Sequence, residues 1–276
     1  MKILVPVDFR NTSFAAFCYA NALADELNAE ITLIHVISAK TKINEYLDGD
    51  LLTHMKDVSR DRLIDFAIEY PEQKGIKIKD VETKYIVGYG EPGEEIIKTA
   101  SALDYDLIIM GIRDKINFMA RLTGTTATEV MNGSNVPIIM VHANSRYNLP
   151  KKVVFAFDKI KDLEDSVETF MTINNQLRAS TDFVHVLSES NDDIKDMTEE
   201  IVDELFEDDE PTFSFQIKTL QEENVIQAVQ DYCIFEKADL LVMTHRKDSL
   251  WNLFLNNSKT VKTAHDFHLP LLIIPD

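Results

Sequence analysis

Short apolar runs alternate with longer stretches of helical periodicity along this chain. KILVPV (Lys2 to Val7) and ITLIHVI (Ile31 to Ile37) have the length and composition of buried strands. Between them, Thr12 to Asn28 carries Phe14, Phe17, Ala20, Leu23 and Leu27 at helical spacing. Asn11, Thr12 or Ser13 could cap that helix. A long polar helix is expected from Asn44 to Glu69, stopped by Pro71. Ile76 to Val87 reads as a third strand and Glu94 to Leu103 as a helix. Asp106 to Met110 and Pro137 to Val141 read as two more strands, with a helix between them starting near Thr125. Strands this apolar are covered on both faces, which points to a parallel sheet. The alternation implies βαβ units with right-handed crossovers.

The pattern is then written a second time. KILVPVDF (Lys2 to Phe9) matches KKVVFAFD (Lys151 to Asp158), aligning Asp8 with Asp158, and LIHVIS (Leu33 to Ser38) matches FVHVLS (Phe183 to Ser188); both alignments stand at an offset of 150. DLIIM (Asp106 to Met110) matches DLLVM (Asp239 to Met243), and NVPIIMVH (Asn135 to His142) matches HLPLLIIPD (His268 to Asp276), both 133 residues apart. Four blocks recur in the same order, and the second copy is shorter in its middle. Ala143 to Pro150 is a short polar link between the copies. Between Glu189 and Glu210 an acidic stretch carries Ile194, Met197, Ile201, Leu205 and Phe206, the spacing of one amphipathic helix with a solvated acidic face.

Composition narrows the setting. The length of 276 residues favours two domains, and 45% hydrophobic residues suffice for two cores. A formal net charge of −19 repels nucleic acid and anionic membranes, so both are set aside as partners. Cys18 and Cys233 sit in helix-like stretches of different halves, which suits a reducing compartment better than a disulfide framework. MKILVPVDF reads as a strand and lacks the layout of a signal peptide. No apolar run approaches the ~20 residues of a membrane span. A soluble cytoplasmic protein is expected.

Ligands of open parallel sheets sit beyond the carboxyl ends of the strands. Asp8 ends the first strand, Val36 lies near the end of the second, and Met110 and Gly111 end the fourth. A basic loop, IRDKINFMAR, follows, and then LTGTTATEV, in which Gly124, Thr125 and Thr126 open a helix. Backbone N–H groups at a helix start bind anions, and a glycine lets a phosphate come close. Threonine-rich helix starts are also common as ordinary caps, so this run alone does not define a site.

Together these residues resemble the universal stress protein family in its tandem two-domain form. Nucleotide-binding members carry Gly, two residues, Gly, nine residues and Gly-Ser or Gly-Thr after the fourth strand. This chain has Gly111, two residues, Asp114, nine residues and Gly124-Thr125. VPVDF, LIHV, GEPGEEIIKTA before DLIIMG, and NVPIIMVH match as well. The resemblance covers nearly the whole chain, once per half. It implies an α/β fold of two tandem Rossmann-like (adenine nucleotide alpha hydrolase-like) domains, 1–145 and 150–276, each a five-stranded, mostly parallel sheet flanked by helices. It also implies site roles. Pro6, Val7 and Asp8 would border adenine and ribose, and Val36 would offer backbone groups to the adenine. Met110 and Gly111 would line the ribose and phosphate path, and Gly124, Thr125 and Thr126 would hold the phosphates of ATP, ADP or AMP. The family commonly pairs through its last strands, here near Pro137 to Val141 and Pro270 to Ile274. That implies pairing of the two halves and leaves a homodimer open.

Asp114 departs from the motif. Two unit charges ~4 Å apart repel by roughly 4 kcal/mol at an effective dielectric of ~20, whereas a micromolar ligand binds with only about −8 kcal/mol. The carboxylate could hold Mg2+ against the phosphates. Alternatively it could turn away, leaving Arg113, Lys115 or Arg121 to face the ligand, or the site has decayed. In the second half the matched positions read Thr244, two residues, Lys247, nine residues and Asn257-Ser258. The spacing survives and every glycine is gone, although Asp158 and Val186 persist. That half is expected to serve architecture or pairing.

Catalytic chemistry is not legible. His265 and His268 lack a third ligand nearby, so no metal site is assigned, and His35 and His185 read as buried, hydrogen-bonded strand residues. No G-x-S-x-G, G-x-x-x-x-G-K-[ST] or G-x-G-x-x-G sequence occurs. No residue takes a catalytic role, and slow ATP hydrolysis is the most that is expected. The sequence therefore supports a stress-response protein that holds an adenine nucleotide in its first half. The alternative is a scaffold or regulator that binds no nucleotide and acts through protein contacts.

Overall fold

The computed structural model describes residues 1–39, 49–112, 126–145, 148–157, 164–187, 211–222, 224–245 and 269–275. These form two compact units, one within residues 1–148 and one within residues 149–276. The acidic stretch from Glu189 to Glu210, Asp114, Asp158, Lys247, Asn257, Ser258, His265 and His268 lie outside the described residues, as do Arg113, Lys115 and Arg121.

The first unit runs β1 (Lys2–Pro6), α1 (Asn11–Leu27), β2 (Glu30–Ser38), α2 (Gly49–Gln73), β3 (Thr83–Gly90), α3 (Pro92–Ala102), β4 (Leu107–Ile112), α4 (Thr126–Gly133), β5 (Ile138–His142). Its strands lie in the order β3-β2-β1-β4-β5, all parallel. β1, β4 and β5 are buried almost throughout, as expected of parallel strands covered on both faces. The second unit runs β6 (Lys152–Phe157), α5 (Glu164–Leu177), β7 (Ser180–Leu187), β8 (Phe215–Gln221), α6 (Val225–Phe235), β9 (Leu240–His245), β10 (Leu271–Pro275). Its order, β8-β7-β6-β9-β10, is again wholly parallel.

The two units also match in backbone detail. The Lys2 N–H donates to Asp106 Oδ2 at 2.6 Å, and the Lys152 N–H donates to Asp239 Oδ2 at 3.0 Å. Left-handed residues end α1 at Asn28 and α5 at Arg178, and follow α3 at Asp104 and α6 at Lys237. These pairs stand 150 and 133 residues apart, the offsets of the sequence blocks.

Three boundaries differ from the sequence reading. α2 does not stop at Pro71 but runs to Gln73. Proline removes a single N–H from the last turn, and the stop is Gly75, with φ +68°. The Gly75 N–H donates to the Glu72 carbonyl at 3.0 Å and the Ile76 N–H to the Pro71 carbonyl at 2.9 Å, a glycine C-cap of the Schellman kind. β3 starts at Thr83 rather than Ile76. The Asn21 side chain takes both the Lys79 N–H (2.7 Å) and the Lys79 carbonyl (3.0 Å), tying that segment to α1 instead of to a strand. The N-cap of α1 is Arg10, not Asn11, Thr12 or Ser13. Asp8 Oδ1 and Ser13 Oγ share the Arg10 N–H at 3.1 and 3.2 Å, so Ser13, the third residue of the helix, reaches back to the N-cap N–H as in a capping box, with the Asp8 carboxylate beside it.

The first core is aromatic where α1 meets α2. Phe14 meets Tyr70 edge to face at 4.7 Å, and Phe66 lies within 6.1 Å of Phe9, Phe14 and Phe17. In the second unit Phe155, Phe170, Phe183, Phe213 and Phe215 form the equivalent cluster. Cys18 and Cys233 are buried free thiols, and burial pushes the Cys18 thiol up to about 12. No helix among the described residues is long and apolar enough to cross a membrane.

Candidate functional site

The strand order of the first unit reverses between β1 and β4. β1 leads outward to β2 and β3, whereas β4 leads the other way to β5. The two crossover directions leave a crevice beyond the carboxyl ends of β1 and β4, where open α/β sheets bind ligands. Pro6 ends β1, and Val7 and Asp8 follow it. Pro6 pairs with Ile34 on β2, and the Val7 N–H donates to the Ile34 carbonyl at 2.8 Å, so Val36 stands just beyond at the same end. Leu4 pairs with Ile108, which brings Met110 and Gly111 to that end of β4. The fold therefore gathers Pro6, Val7, Asp8, Val36, Met110 and Gly111 from three adjacent strands. Thr126 is half-buried and opens α4; Gly124 and Thr125 lie outside the described residues.

Asp8 is exposed and already engaged. Its Oδ1 accepts the Arg10 N–H and the Ser13 hydroxyl, the latter at 2.9 Å, and its Oδ2 lies 3.6 Å from Arg10 Nε. At that distance the guanidinium is an ion pair and not a hydrogen bond, so Oδ2 keeps lone pairs for another donor. Gly111 has a packing role that the loop motif does not reveal. A Cβ there would stand 2.1 Å from the Thr12 carbonyl oxygen and 2.7 Å from the Ser13 nitrogen. The missing side chain is what lets the first turn of α1 rest on β4. At the matched position the second unit has the buried side chain of Thr244, to which so close an approach is closed.

His35 is half-buried and not fully buried. Its Nδ1 lies 2.7 Å from the Val7 carbonyl oxygen, and since a carbonyl only accepts, Nδ1 carries the proton. Burial holds its pKa below the usual histidine value; Arg62 adds to the depression, while the Val7 hydrogen bond and Asp8 oppose it. His185 is buried and stacked on Phe157 at 5.1 Å. No group of three or more histidine, cysteine or carboxylate side chains among the described residues is arranged to hold a metal ion.

Sequence reading missed two residues beside this site, Phe9 and Arg62. Phe9 has φ +61°, its ring centroid lies 4.6 Å from that of His35, and the Arg62 guanidinium carbon sits 3.9 Å above it. Arg62 is 53 positions away, and an arginine on a polar helix carries no local signal of such a contact.

The second unit gathers buried charge at the amino ends of its strands instead. Asp182 on β7, with a side chain only 1% exposed, binds Lys152 Nζ at 2.5 Å and accepts the Tyr232 hydroxyl at 3.0 Å. Desolvation first, and the Asp182 charge next, push the Tyr232 hydroxyl well above its usual range. The pair is far from the strand ends where a ligand would sit and reads as structural.

Parallel α/β sheets with this strand order and a ligand crevice at the reversal form the Rossmann-like class. A profile of the universal stress protein family matches residues 1–142. The chain belongs to the universal stress protein family. It is 29% identical over 157 residues to universal stress protein MJ0577 of Methanocaldococcus jannaschii, a match covering 51% of this chain and 93% of that protein. It is 27% identical over 144 residues to universal stress protein YxiE of Bacillus subtilis, covering 51% of this chain and 97% of that protein. The crystal structure of a universal stress protein from Archaeoglobus fulgidus superposes with a TM-score of 0.69 at 18% identity, covering 99% of this chain and 96% of that one. The last likeness establishes the fold over both units.

Proposed function

We propose that the first half binds an adenine nucleotide (ATP, ADP or AMP) and that the chain is a cytoplasmic stress-response protein whose partners or stability change with the nucleotide. The observation that carries this reading is the convergence of Asp8, Val36 and Gly111 at the point where the strand order reverses. Pro6, Val7 and Asp8 would then border adenine and ribose, with the free face of Asp8 Oδ2 as the polar contact. Val36 would offer backbone groups to the base. Met110 and Gly111 would line the path to the phosphates, held by Gly124, Thr125 and Thr126, with Mg2+ at Asp114 as one way of relieving its charge. Residues 1–145 and 150–276 are two domains of the family in this reading, the second with a degenerate motif and an architectural role. Pairing of the halves through their last strands is carried by the family resemblance alone.

Calorimetry of the purified chain with ATP and with AMP, each with and without Mg2+, tests the proposal. Saturable heat with either nucleotide is expected, and Asp114→Gly should tighten binding in the absence of Mg2+. No heat in any condition rejects the nucleotide reading and leaves the scaffold acting through protein contacts.

A further inference from the structure

Among the described residues, Phe9 is the one non-glycine residue of left-handed backbone that does not end a helix; Asn28, Asp104, Arg178 and Lys237 all do. For a bulky L-residue that conformation is disfavoured roughly 5- to 30-fold. Something must hold it, and such residues concentrate where function needs a fixed geometry.

The holding groups come from β2 and α2. The Phe9 ring packs against His35 at 4.6 Å and edge-on to Phe66 at 5.8 Å, and Arg62 lies 3.9 Å above its face. Arg62 and Phe66 are one turn apart on α2, so a single helix face grips the ring from two sides. On the other side of Asp8, the Val7 carbonyl accepts the His35 Nδ1–H. Both neighbours of Asp8 are therefore fixed by distant elements. Asp8 itself is exposed, and among the described residues it is held within its own turn, by the Arg10 N–H and the Ser13 hydroxyl.

We propose that Arg62, stacked on Phe9, is a positioning residue for Asp8: it keeps Phe9 left-handed and so aims the Asp8 carboxylate into the crevice. The proposal rests on the nucleotide reading for its functional consequence and on backbone geometry for its mechanism, and the two parts have separate readouts.

Two substitutions separate backbone positioning from simple packing. Phe9→Ala removes the ring and keeps the left-handed penalty, whereas Phe9→Gly removes both. Positioning predicts that Phe9→Ala weakens ATP or AMP binding by roughly 5- to 30-fold, and that Phe9→Gly binds more tightly than Phe9→Ala. Amide exchange over residues 8–14 should follow the same order, faster in Phe9→Ala than in Phe9→Gly. Arg62→Met should weaken binding by a few-fold in the wild-type chain and leave it unchanged in the Phe9→Gly chain, while Arg62→Lys should restore it in part. Thermal melts identify any variant that has lost its fold. Equal or weaker binding by Phe9→Gly relative to Phe9→Ala, or equal effects of Arg62→Met in both backgrounds, overturns the proposal. If the wild-type chain binds neither nucleotide, the nucleotide reading fails, and with it the ligand half of this inference. Exchange that is no faster in Phe9→Ala than in Phe9→Gly overturns the backbone half.

Discussion

Gly111→Ala is the sharpest test of how the crevice is built. The added Cβ would lie 2.1 Å from the Thr12 carbonyl oxygen, 2.3 Å from the Thr12 carbonyl carbon and 2.7 Å from the Ser13 nitrogen. Ordinary contact begins at 3.4 Å, so the backbone of α1 must retreat by about 1.3 Å. No side chain can swing aside, because all three atoms are main chain. The retreat moves Phe14 and Phe17, both almost fully buried, out of register with Phe66. Overpacking a well-packed core costs about 1–3 kcal/mol, and a clash with main chain belongs at the upper end. For a unit of this size each kcal/mol shifts the melting temperature by roughly 2–4 °C, so a fall of about 6–12 °C is expected. Urea denaturation should show a lower midpoint with an unchanged m-value. Gly133→Ala is the control, because its Cβ meets only the mobile end of Ile97, Cδ1 at 2.8 Å. A Gly111→Ala protein within about 0.5 kcal/mol of wild type, the scatter of ordinary surface changes, would refute the packing argument. So would a control that loses as much.

Two further outcomes follow from charge. Lys152→Met leaves the buried Asp182 without its cation and should destabilise the second unit by about 3–5 kcal/mol in denaturant titrations, with much of the loss recovered when Asp182→Leu is added; a cost under about 1 kcal/mol counts against a desolvated pair. The pKa of His35 is lowered in the folded state, so the unfolded chain binds its proton first, near pH ~6.5. Stability is then unaffected above that pH and falls as the pH drops from it toward the depressed folded value. Melting curves between pH 5 and 8 (about the histidine range) should show that acid loss in wild type and a smaller one in His35→Gln; parallel curves contradict the assignment.

Family and fold class were written in the sequence. Strand length, the run of apolar residues and the matched blocks at 150 and 133 are local patterns, and local patterns survive without a structure. The same applies to Pro6, Asp8 and Gly111, which sit at strand ends wherever the strands lie. The sequence misplaced the stop of α2 and the cap of α1, since each depends on which of several competent residues wins. Gly75 outweighs Pro71 because a left-handed glycine closes two carbonyls, while a proline in the last turn forfeits only one N–H. Tertiary structure alone decided what touches what across long separations. It put Thr12 against Gly111, Arg62 over Phe9, and Lys152 and Tyr232 on Asp182. In each case the partners are brought together by strand order and helix packing, and neither periodicity nor composition of one segment records the identity of the other. Asp8 shows the division most plainly: the sequence marked it as the polar end of the first strand, and the fold determined that two distant elements hold its neighbours.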